Sequence, residues 1–491
     1  MALSWSVMAP LRCAPQGLEP WRFRLPTDSL WSEPSMSIAS PPALPSPIVE
    51  TDDFGEARSW RPAVVLGANL YQPLAWWMDP IRTILFVVLP IFGFSAYLNR
   101  YNYWTFRASR DFVTSTTFWL GIYSAGMLIL GVVIGRLVIR RESEVTLFDS
   151  DRATLILVRI GWITIAAYIV LFGALVVNYP LVIAVLNGSI GASDDLRDSL
   201  GRVPGVTSFV QLGVIYLAMI SMLATMTNYT ITPRLWTMTA VILFLVFLRS
   251  IFASERLALL EALASIGIIP LAYRWRPSPV RAIAPYIGIV FVFILFAAGE
   301  YYRSWQYYRY SYDSYFDFIS QRFAGYFSTA INNGSGSYLV YGRDSPFPEI
   351  TVGWITRFPV IGPILFPRGG ETLHSRFLEM YASPEFNNPG GLYAAFLDYN
   401  FYLASIFMVF IGLVIGIIHR KFQNMSIYGF LLYPVVFLGM TDLIRIMYIS
   451  DTRTLPMFLG GLAVALAIKS STMPRDRFLS MAGHVSRGPS S

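Results

Sequence analysis

Arginines beside short polar connections are the residues of this chain whose type and spacing could do chemistry. Arg249 and Arg256 flank a short turn between two apolar segments. The helix that begins after this turn would add unpaired N–H groups and a partial positive charge. Two guanidinium groups at such a corner could bind a diphosphate. The alternative is that both arginines reach lipid headgroups and that Glu255 pairs with Arg256.

A second group of candidates opens the long polar interval from Glu300 to Leu392. Trp305 and Tyr308 could stack on sugar rings, and Arg303 in the same run could bind phosphate, as could Arg322 further on. Tyrosine and tryptophan also collect at membrane interfaces, and this interfacial role is the favoured interpretation for the aromatic run as a whole.

A third group closes the interval. Arg376 and Glu379 stand at positions i and i+3, so a helix would place them on one face. The sequence Pro384-Glu-Phe-Asn-Asn-Pro-Gly-Gly predicts a turn that presents polar side chains. Asp398 is expected about one and a half turns into the next helix. A carboxylate inside the membrane is costly, so it either has a function or neutralises an arginine. The further candidates of this group are His374, Glu385, Asn387 and Asn388.

Two other segments could support such a site. Residues 346–367 are apolar but interrupted by prolines, which predicts a re-entrant or interfacial flap instead of a full span. Residues 442–453 form the last polar turn, where we expect Asp451 to pair with Arg453 and Asp442 and Arg445 to lie behind the site.

The elements that must position these residues are membrane helices. The 491 residues are 55% hydrophobic and 14% charged, with a mean hydropathy of +0.51, which is typical of a polytopic membrane protein. About twenty residues cross a hydrocarbon core of ~30 Å, so about ten helices are expected. Their predicted ranges are 81–98, 115–138, 154–178, 206–226, 235–252, 257–273, 281–299, 393–418, 425–441 and 453–469.

Arginine placement predicts the topology. With both termini in the cytosol, the cytosolic connections collect a cluster at 136–152, a pair at 420–421 and the C-terminal tail, in agreement with the positive-inside rule. Arg249, Arg256, Arg303, Arg322 and Arg376 then lie on the disfavoured side, and their retention there calls for a reason such as anion binding. The domains follow: residues 1–75 as a disordered cytosolic tail, 76–470 as the membrane domain with a large outer loop at 300–392 between the seventh and eighth helices, and 471–491 as a second cytosolic tail.

Composition also excludes several classes of protein. The single cysteine, Cys13, cannot form an intrachain disulfide, and His374, His419 and His484 are too widely spaced for a histidine metal motif. No basic block lies outside the membrane segments, which argues against nucleic-acid binding. We therefore expect no metal and no cofactor.

The residues just described give the chain a family resemblance. The segment Asp79-Pro-Ile-Arg, the turn from Arg249 to Arg256, the tyrosine-rich start of the large loop and Asn387-Asn-Pro-Gly-Gly leading to Asp398 resemble the O-antigen or oligosaccharide repeat-unit polymerases of bacterial envelopes (Wzy-like), over most of residues 79–470. One departure is that no glycine follows Asp398.

The resemblance implies an all-α membrane glycosyltransferase of GT-C-like architecture in the bacterial inner membrane. Such an enzyme joins undecaprenyl-diphosphate-linked oligosaccharides on the outer face, with a flippase and a chain-length regulator as possible partners besides membrane lipids. Arginines would stabilise the leaving diphosphate, and a base would take the proton of the attacking hydroxyl. Glu379, Glu385, Asp398 and His374 are the candidate bases, and the sequence does not rank them.

Three alternatives remain open from the sequence. An O-antigen ligase would share the arginine-rich outer loop, and His374 is then the discriminating residue. A transporter or flippase would instead need charged residues deep in several helices, together with a polar cavity through the membrane. A non-catalytic assembly or scaffold protein would not need arginines on the outer side.

Overall fold

The computed structural model describes most of the chain from residue 63 to residue 474. The described residues are 63–66, 74–101, 110–140, 144–187, 189, 195–196, 205–227, 229–252, 255–273, 278–342, 348–356, 364, 373–383, 385–468 and 471–474. The predicted tail at 1–75 therefore lies largely outside them, as do 12 of the 22 residues of the predicted flap at 346–367.

Helices dominate the described residues. The longer ones are α1 (Pro80–Arg100), α2 (Ser115–Val138), α3 (Ser150–Val177), α4 (Tyr179–Leu186), α5 (Val206–Met226), α6 (Pro233–Phe252), α7 (Arg256–Tyr273), α8 (Pro279–Arg303), α9 (Tyr315–Val340), α10 (Leu373–Tyr381), α11 (Gly391–Asp398), α12 (Phe401–Gln423), α13 (Ile427–Thr441) and α14 (Thr454–Ile468). One-turn helices occur at Trp76–Met78, Trp305–Tyr308, Gly353–Thr356 and Tyr448–Ser450.

Eight of the described helices are long and apolar enough to cross a membrane: α1, α2, α3, α5, α6, α7, α8 and α12. Helices α13 and α14 are apolar but have only 15 residues each. The chain is therefore a polytopic α-helical membrane protein, as the composition predicted. The expected count of ten is reached only if α13 and α14 also span.

Glycines bring α2 and α12 into direct backbone contact. A Cβ atom at Gly131 would lie 2.0 Å from the carbonyl oxygen of Val409, and one at Gly412 would lie 2.1 Å from that of Leu128. Each helix repeats a glycine four residues later, at Gly135 and Gly416. This small-residue spacing lets two membrane helices approach closely, so van der Waals contact holds the pair together.

Burial differs widely between the spans. Most of α5 is buried, which makes it a central helix, whereas α8 has no buried residue between Arg281 and Phe296. Helix α8 is fixed near its two ends. At one end Trp77 donates from Nε1 to the carbonyl oxygen of Arg281 (2.8 Å), and at the other Phe296 and Glu300 contact α7 and α9.

A small sheet joins both predicted tails to one loop of the membrane domain. Strands β1 (Ala63–Leu66), β2 (Glu144–Asp149) and β3 (Ser471–Pro474) pair antiparallel in that order. Strand β2 leads directly into α3, so the sheet marks one end of the bundle, hereafter the sheet end. The sheet is an addition to the all-α prediction, and it places the segments before α1 and after α14 on the same side.

The predicted helix at 393–418 is wrong as a single span. The structure divides it into α11 and α12, because Tyr399 is extended (φ −130°, ψ 158°) and the side chain of Asn400 accepts the N–H of Leu403 at 3.0 Å, which starts a new helix. Asp398 is consequently the last residue of α11, not a residue inside a membrane helix.

The large loop contains a helix longer than expected. Helix α9 has 26 residues, and Ser314 caps it by accepting the N–H of Asp317 at 3.1 Å. Its second half is rich in small and polar residues and is almost entirely buried. Asn332 there accepts the N–H of Phe112 (2.7 Å), and Asn333 donates to the carbonyl oxygen of Phe386 (2.6 Å). Polar side chains thus tie the loop to the bundle at the end opposite the sheet, hereafter the opposite end.

Candidate functional site

Four charged side chains form a continuous chain at the opposite end, hereafter the Arg322 cluster. Glu300 at the end of α8 accepts from Arg256 of α7 through one oxygen and from Arg322 of α9 through the other. Arg322 also donates to Glu385, which follows α10. The side chains of Glu300 and Arg322 are both 0% exposed, whereas those of Arg256 and Glu385 are 18% and 28% exposed. Two buried charges therefore hold two charges that reach the surface.

Aromatic rings enclose the Arg322 cluster. The guanidinium of Arg322 lies 5.3 Å from the ring of Phe386 and 5.6 Å from that of Tyr308, and Arg256 lies 4.5 Å from the ring of Phe296. The hydroxyl of Tyr308 donates to Glu385 at 3.2 Å. Such stacking lowers the local polarity and strengthens the charge pairs.

The charge of Arg322 is stabilised by its two carboxylate partners. Burial would lower the pKa of Arg322, but Glu300 and Glu385 raise it above its ordinary value.

The tyrosine-rich run is only in part the interfacial belt that the sequence favoured. Tyr301, Tyr307 and Tyr310 are exposed. Trp305 and Tyr308 instead pack on Phe318, with ring centroids 5.4 and 5.6 Å away. Of the two predicted sugar-stacking residues, Tyr308 thus lies beside the guanidinium of Arg322, and Trp305 belongs to the same aromatic wall through Phe318.

A second group of charges, the Arg453 cluster, lies between other helices at the same end. Arg453 donates to Glu255 at 2.9 Å and to Glu261 of α7 at 3.0 Å, and Arg249 of α6 donates to Glu255 at 2.6 Å. Tyr448 donates to Glu261 at 2.5 Å. Burial would raise the pKa of Glu255, but Arg249 and Arg453 hold it below its ordinary value.

The predicted corner between Arg249 and Arg256 does not form. Glu255 and Arg256 are adjacent, yet Glu255 joins the Arg453 cluster and Arg256 joins the Arg322 cluster. The alternative pairing of Glu255 with Arg256 is likewise not the one observed. Arg249 is 4% exposed and is held by Glu255, so its guanidinium supports the packing of α6 against α7.

The predicted pair of Asp451 and Arg453 is also wrong. Asp451 accepts the backbone N–H of Arg453 at 2.8 Å, which begins α14, while the guanidinium of Arg453 points to Glu255 and Glu261. A separation of two residues favours this local cap, because an aspartate side chain readily accepts the backbone N–H of the second residue after it, as in an Asx turn.

Asp398 anchors a segment of backbone. Its carboxylate accepts the N–H groups of Glu349, Ile350 and Thr351 at 2.6 to 3.2 Å, as well as the hydroxyl of Thr351 at 2.7 Å. Burial raises the pKa of Asp398, and the hydrogen bonds from Thr351 and its neighbours oppose this rise. With both oxygens occupied, Asp398 is poorly placed as a base, and its geometry indicates a structural anchor.

His374 lines a small pocket with Ser337, Tyr341, Glu349 and Asp398. Its Nε2 lies 3.0 Å from the carbonyl oxygen of Asn387 and its Nδ1 lies 3.1 Å from the hydroxyl of Ser337. Because a carbonyl can only accept, Nε2 carries a proton, and the neutral ring accepts from Ser337. Burial lowers the pKa of His374 and raises that of Glu349.

The remaining predicted residues lie around this end without forming one site. Arg376 and Glu379 are both exposed on α10, the helix that their spacing predicted. Arg303 is partly buried at the end of α8. Asn387 and Asn388 take part through their carbonyl oxygens, which accept from His374 and Asn333.

Sequence reasoning missed Glu300 and Glu261 as members of the charged clusters. Both are carboxylates within or at the end of an apolar segment, and a carboxylate in such a place needs a charged partner. The sequence therefore predicts that each pairs with an arginine, but it does not tell which one. Arg322 is 22 residues from Glu300, and Arg453 is 192 residues from Glu261.

Within the residues that the structure describes, no group of three or more His, Cys, Asp or Glu side chains could hold a metal ion. Metal independence therefore stays a prediction. Comparisons of this chain with protein-family models, with curated proteins and with solved structures gave no match.

Proposed function

We propose that this protein is a membrane glycosyltransferase that polymerises polyprenyl-diphosphate-linked oligosaccharides. The observation that carries the proposal is the Arg322 cluster: two guanidinium groups from α7 and α9, held side by side by one fully buried carboxylate, Glu300. The parallel N–H groups of a guanidinium can donate hydrogen bonds to two oxygens of a diphosphate. The aromatic wall that contains Trp305 and Tyr308 could stack on a sugar ring.

The cluster carries no net charge as it stands, since two carboxylates balance two guanidinium groups. Glu385 is the more exposed carboxylate, at 28% of its side chain, whereas Glu300 is fully buried. An incoming diphosphate would therefore displace Glu385 from Arg322 while Glu300 keeps both arginines in position. Binding of the substrate would thus place an unpaired carboxylate beside the reacting sugar.

The reaction then follows from these roles. The hydroxyl of the acceptor sugar attacks the anomeric carbon of the donor, and the bond from that carbon to the diphosphate oxygen breaks. Arg256 and Arg322 stabilise the negative charge that develops on the leaving diphosphate. Glu385 takes the proton of the attacking hydroxyl. Of the four bases that the sequence left unranked, Glu385 is a member of this cluster, whereas His374 is held by Asn387 and Ser337 and Asp398 anchors backbone.

The proposed orientation puts the sheet end in the cytosol. Both segments flanking the membrane domain contribute strands to the sheet, and the loop before α3 carries arginines. The positive-inside rule favours that side for the cytosol. The Arg322 cluster then faces the outer leaflet of a bacterial inner membrane, where a flipped lipid-linked oligosaccharide would be met.

The test is an assay of the purified full-length protein in lipid nanodiscs, with the lipid-linked oligosaccharide that accumulates in cells lacking the gene as substrate. Arg256→Ala and Glu385→Gln should each reduce the polymer ladder at least a hundredfold, because each removes a group from the reacting centre. Arg420→Lys, at the sheet end, is the matched control and should leave the ladder unchanged.

Two results would count against the proposal. An unchanged ladder in both Arg256→Ala and Glu385→Gln would mean that the cluster does not bind the diphosphate. Strict dependence on an added divalent metal would mean that arginines alone do not stabilise the leaving group. Transfer of the glycan to an added lipid A core, without a ladder, would instead identify the ligase alternative.

A further inference from the structure

Two buried polar atoms at the turn after α13 have no hydrogen-bond partner among the described residues. They are Oδ2 of Asp442 and Nε of Arg445. The other oxygen of the carboxylate, Oδ1, accepts from Nη1 of Arg445 at 3.0 Å. One lone acceptor and one lone donor are therefore left on two side chains that are joined by an ion pair and are only 10% and 25% exposed.

The turn holds the backbone of both residues in place. The carbonyl oxygen of Asp442 accepts the N–H of Arg445 at 2.9 Å, and the carbonyl oxygen of Arg445 accepts the N–H of Gly390 at 3.0 Å. A Cβ atom at Gly391 would lie 2.4 Å from the carbonyl oxygen of Leu443, so the start of α11 is in direct contact with this turn. The Cα positions from which the two side chains extend are therefore fixed by the fold.

Aromatic rings connect this pair to the Arg322 cluster. The guanidinium of Arg445 lies 5.3 Å from the ring of Tyr326, which meets Phe386 edge-on at 5.4 Å. The ring of Phe386 also lies 5.3 Å from the guanidinium of Arg322. Two rings thus separate the pair from the proposed diphosphate site, a spacing that suits the far sugar of a substrate more than its reacting atom.

The chemistry of the two atoms selects the ligand. An anion would be repelled by the carboxylate of Asp442, and an apolar group would leave both atoms unpartnered, at about 1–3 kcal/mol each. A hydroxyl group can both donate and accept hydrogen bonds, so two hydroxyl groups of one molecule can satisfy the acceptor and the donor. Neighbouring aromatic faces favour a sugar as the molecule that carries these hydroxyl groups. Burial raises the pKa of Asp442, and Arg445 opposes this rise.

We infer that Asp442 and Arg445 bind two hydroxyl groups of the acceptor saccharide. This inference rests on the proposed function, because it supplies the second substrate of the same reaction. One sugar hydroxyl donates a hydrogen bond to Oδ2 of Asp442, and the oxygen of another accepts a hydrogen bond from Nε of Arg445.

The experiment measures saccharide binding apart from transfer. The probe is the free oligosaccharide released by mild acid from the lipid-linked unit that accumulates in cells lacking the gene. Isothermal titration with the full-length protein in nanodiscs should show binding to the wild type, weakened at least tenfold in Asp442→Asn and in Arg445→Lys. Asp313→Asn removes an exposed aspartate and should bind as the wild type does.

The outcomes separate this inference from the proposed function. Equal binding by the wild type and by folded Asp442→Asn and Arg445→Lys would overturn the inference, and would mean that the two atoms hold an ordered water only. Loss of binding in these variants supports the inference, even where the polymer assay shows no transfer. The melting temperatures of both variants show whether a loss of binding comes from unfolding. If Asp442→Asn is unfolded, the binding measured for Arg445→Lys, which keeps the charge, tests the inference.

Discussion

The two ends of the bundle use arginine differently. At the sheet end, Arg281 donates from Nη2 to the carbonyl oxygen of Ala272 at 3.1 Å, and Arg420 donates from Nε to that of Arg136 at 3.2 Å. These carbonyls belong to the last turns of α7 and α2, where helices leave acceptors without intrahelical donors. Each of these contacts completes a helix end.

At the opposite end, arginines meet carboxylates that come from distant parts of the chain. Arg322 joins Glu300 and Glu385, and Arg453 joins Glu255 and Glu261. At the sheet end, Asp79 pairs with Arg136 at 2.8 Å.

Removing two charges from water often costs more than their attraction returns, so a buried ion pair is weak evidence for stability. The completion of helix ends therefore accounts for Arg281 and Arg420 at the sheet end, whereas the fully buried pair of Glu300 and Arg322 at the opposite end calls for a function.

The sharpest test of this difference is Arg322→Ala. It would leave the fully buried carboxylate of Glu300 with Arg256 as its remaining arginine partner, and breaking a buried pair from one side costs about 3–5 kcal/mol. We expect a large fall in the melting temperature in nanodiscs together with loss of the ladder. The double variant Arg322→Met with Glu300→Gln should recover part of the stability but none of the activity. Full recovery of both would show that the cluster has no catalytic role.

A steric change tests the same cluster without removing a charge. A Cβ atom at Gly299 would lie 2.6 Å from Nε of Arg256, so Gly299→Ala must displace this guanidinium, which Glu300 holds in the wild type. The atom that must move belongs to a flexible side chain, so we expect only a small loss of stability. Polymer formation should fall at least tenfold.

Gly288→Ala on the same helix is the matched control for this change, because nothing lies within 4 Å of its added Cβ atom. It should keep full activity and, through better helix propensity, gain up to about 1 kcal/mol. Equal behaviour of the two variants would mean that the position of Arg256 is unimportant.

Stability at the opposite end should also depend on pH through His374. The pKa of His374 is about 6.5 in the unfolded chain. Burial lowers this pKa in the folded protein. In the window between the two pKa values the unfolded chain holds more protons, so stability falls as the pH falls, by at most about 1.4 kcal/mol per pH unit. His374→Gln should remove this loss. The measurement is the difference in melting temperature between wild type and variant from pH 7 to pH 5, and a constant difference would contradict the expectation.

Sequence reasoning reached the spans because they depend on local composition. The range 115–138 matches α2, since an apolar run of this length forms a helix wherever it inserts. It missed the break after Asp398, which a single cap at Asn400 decides. Sequence reasoning also predicted Arg256 and Arg322 as phosphate-binding residues. It placed Arg256 beside Arg249, because the two residues are close along the chain. The partners Glu300 and Glu385 become visible only once α7, α8 and α9 are packed together.

The smallest expected effect is at the sheet end, with Arg420→Ala. This change removes donors to the carbonyl oxygen of Arg136 and to the side chain of Gln423. A hydrogen bond of this kind is worth about 1 kcal/mol net, and the carbonyl that it leaves lies near the helix end, where water can replace the lost donor. We expect a slightly lower melting temperature and an unchanged polymer ladder. A loss of activity comparable to that of Arg256→Ala would break the comparison, because the two ends would then contribute equally to function.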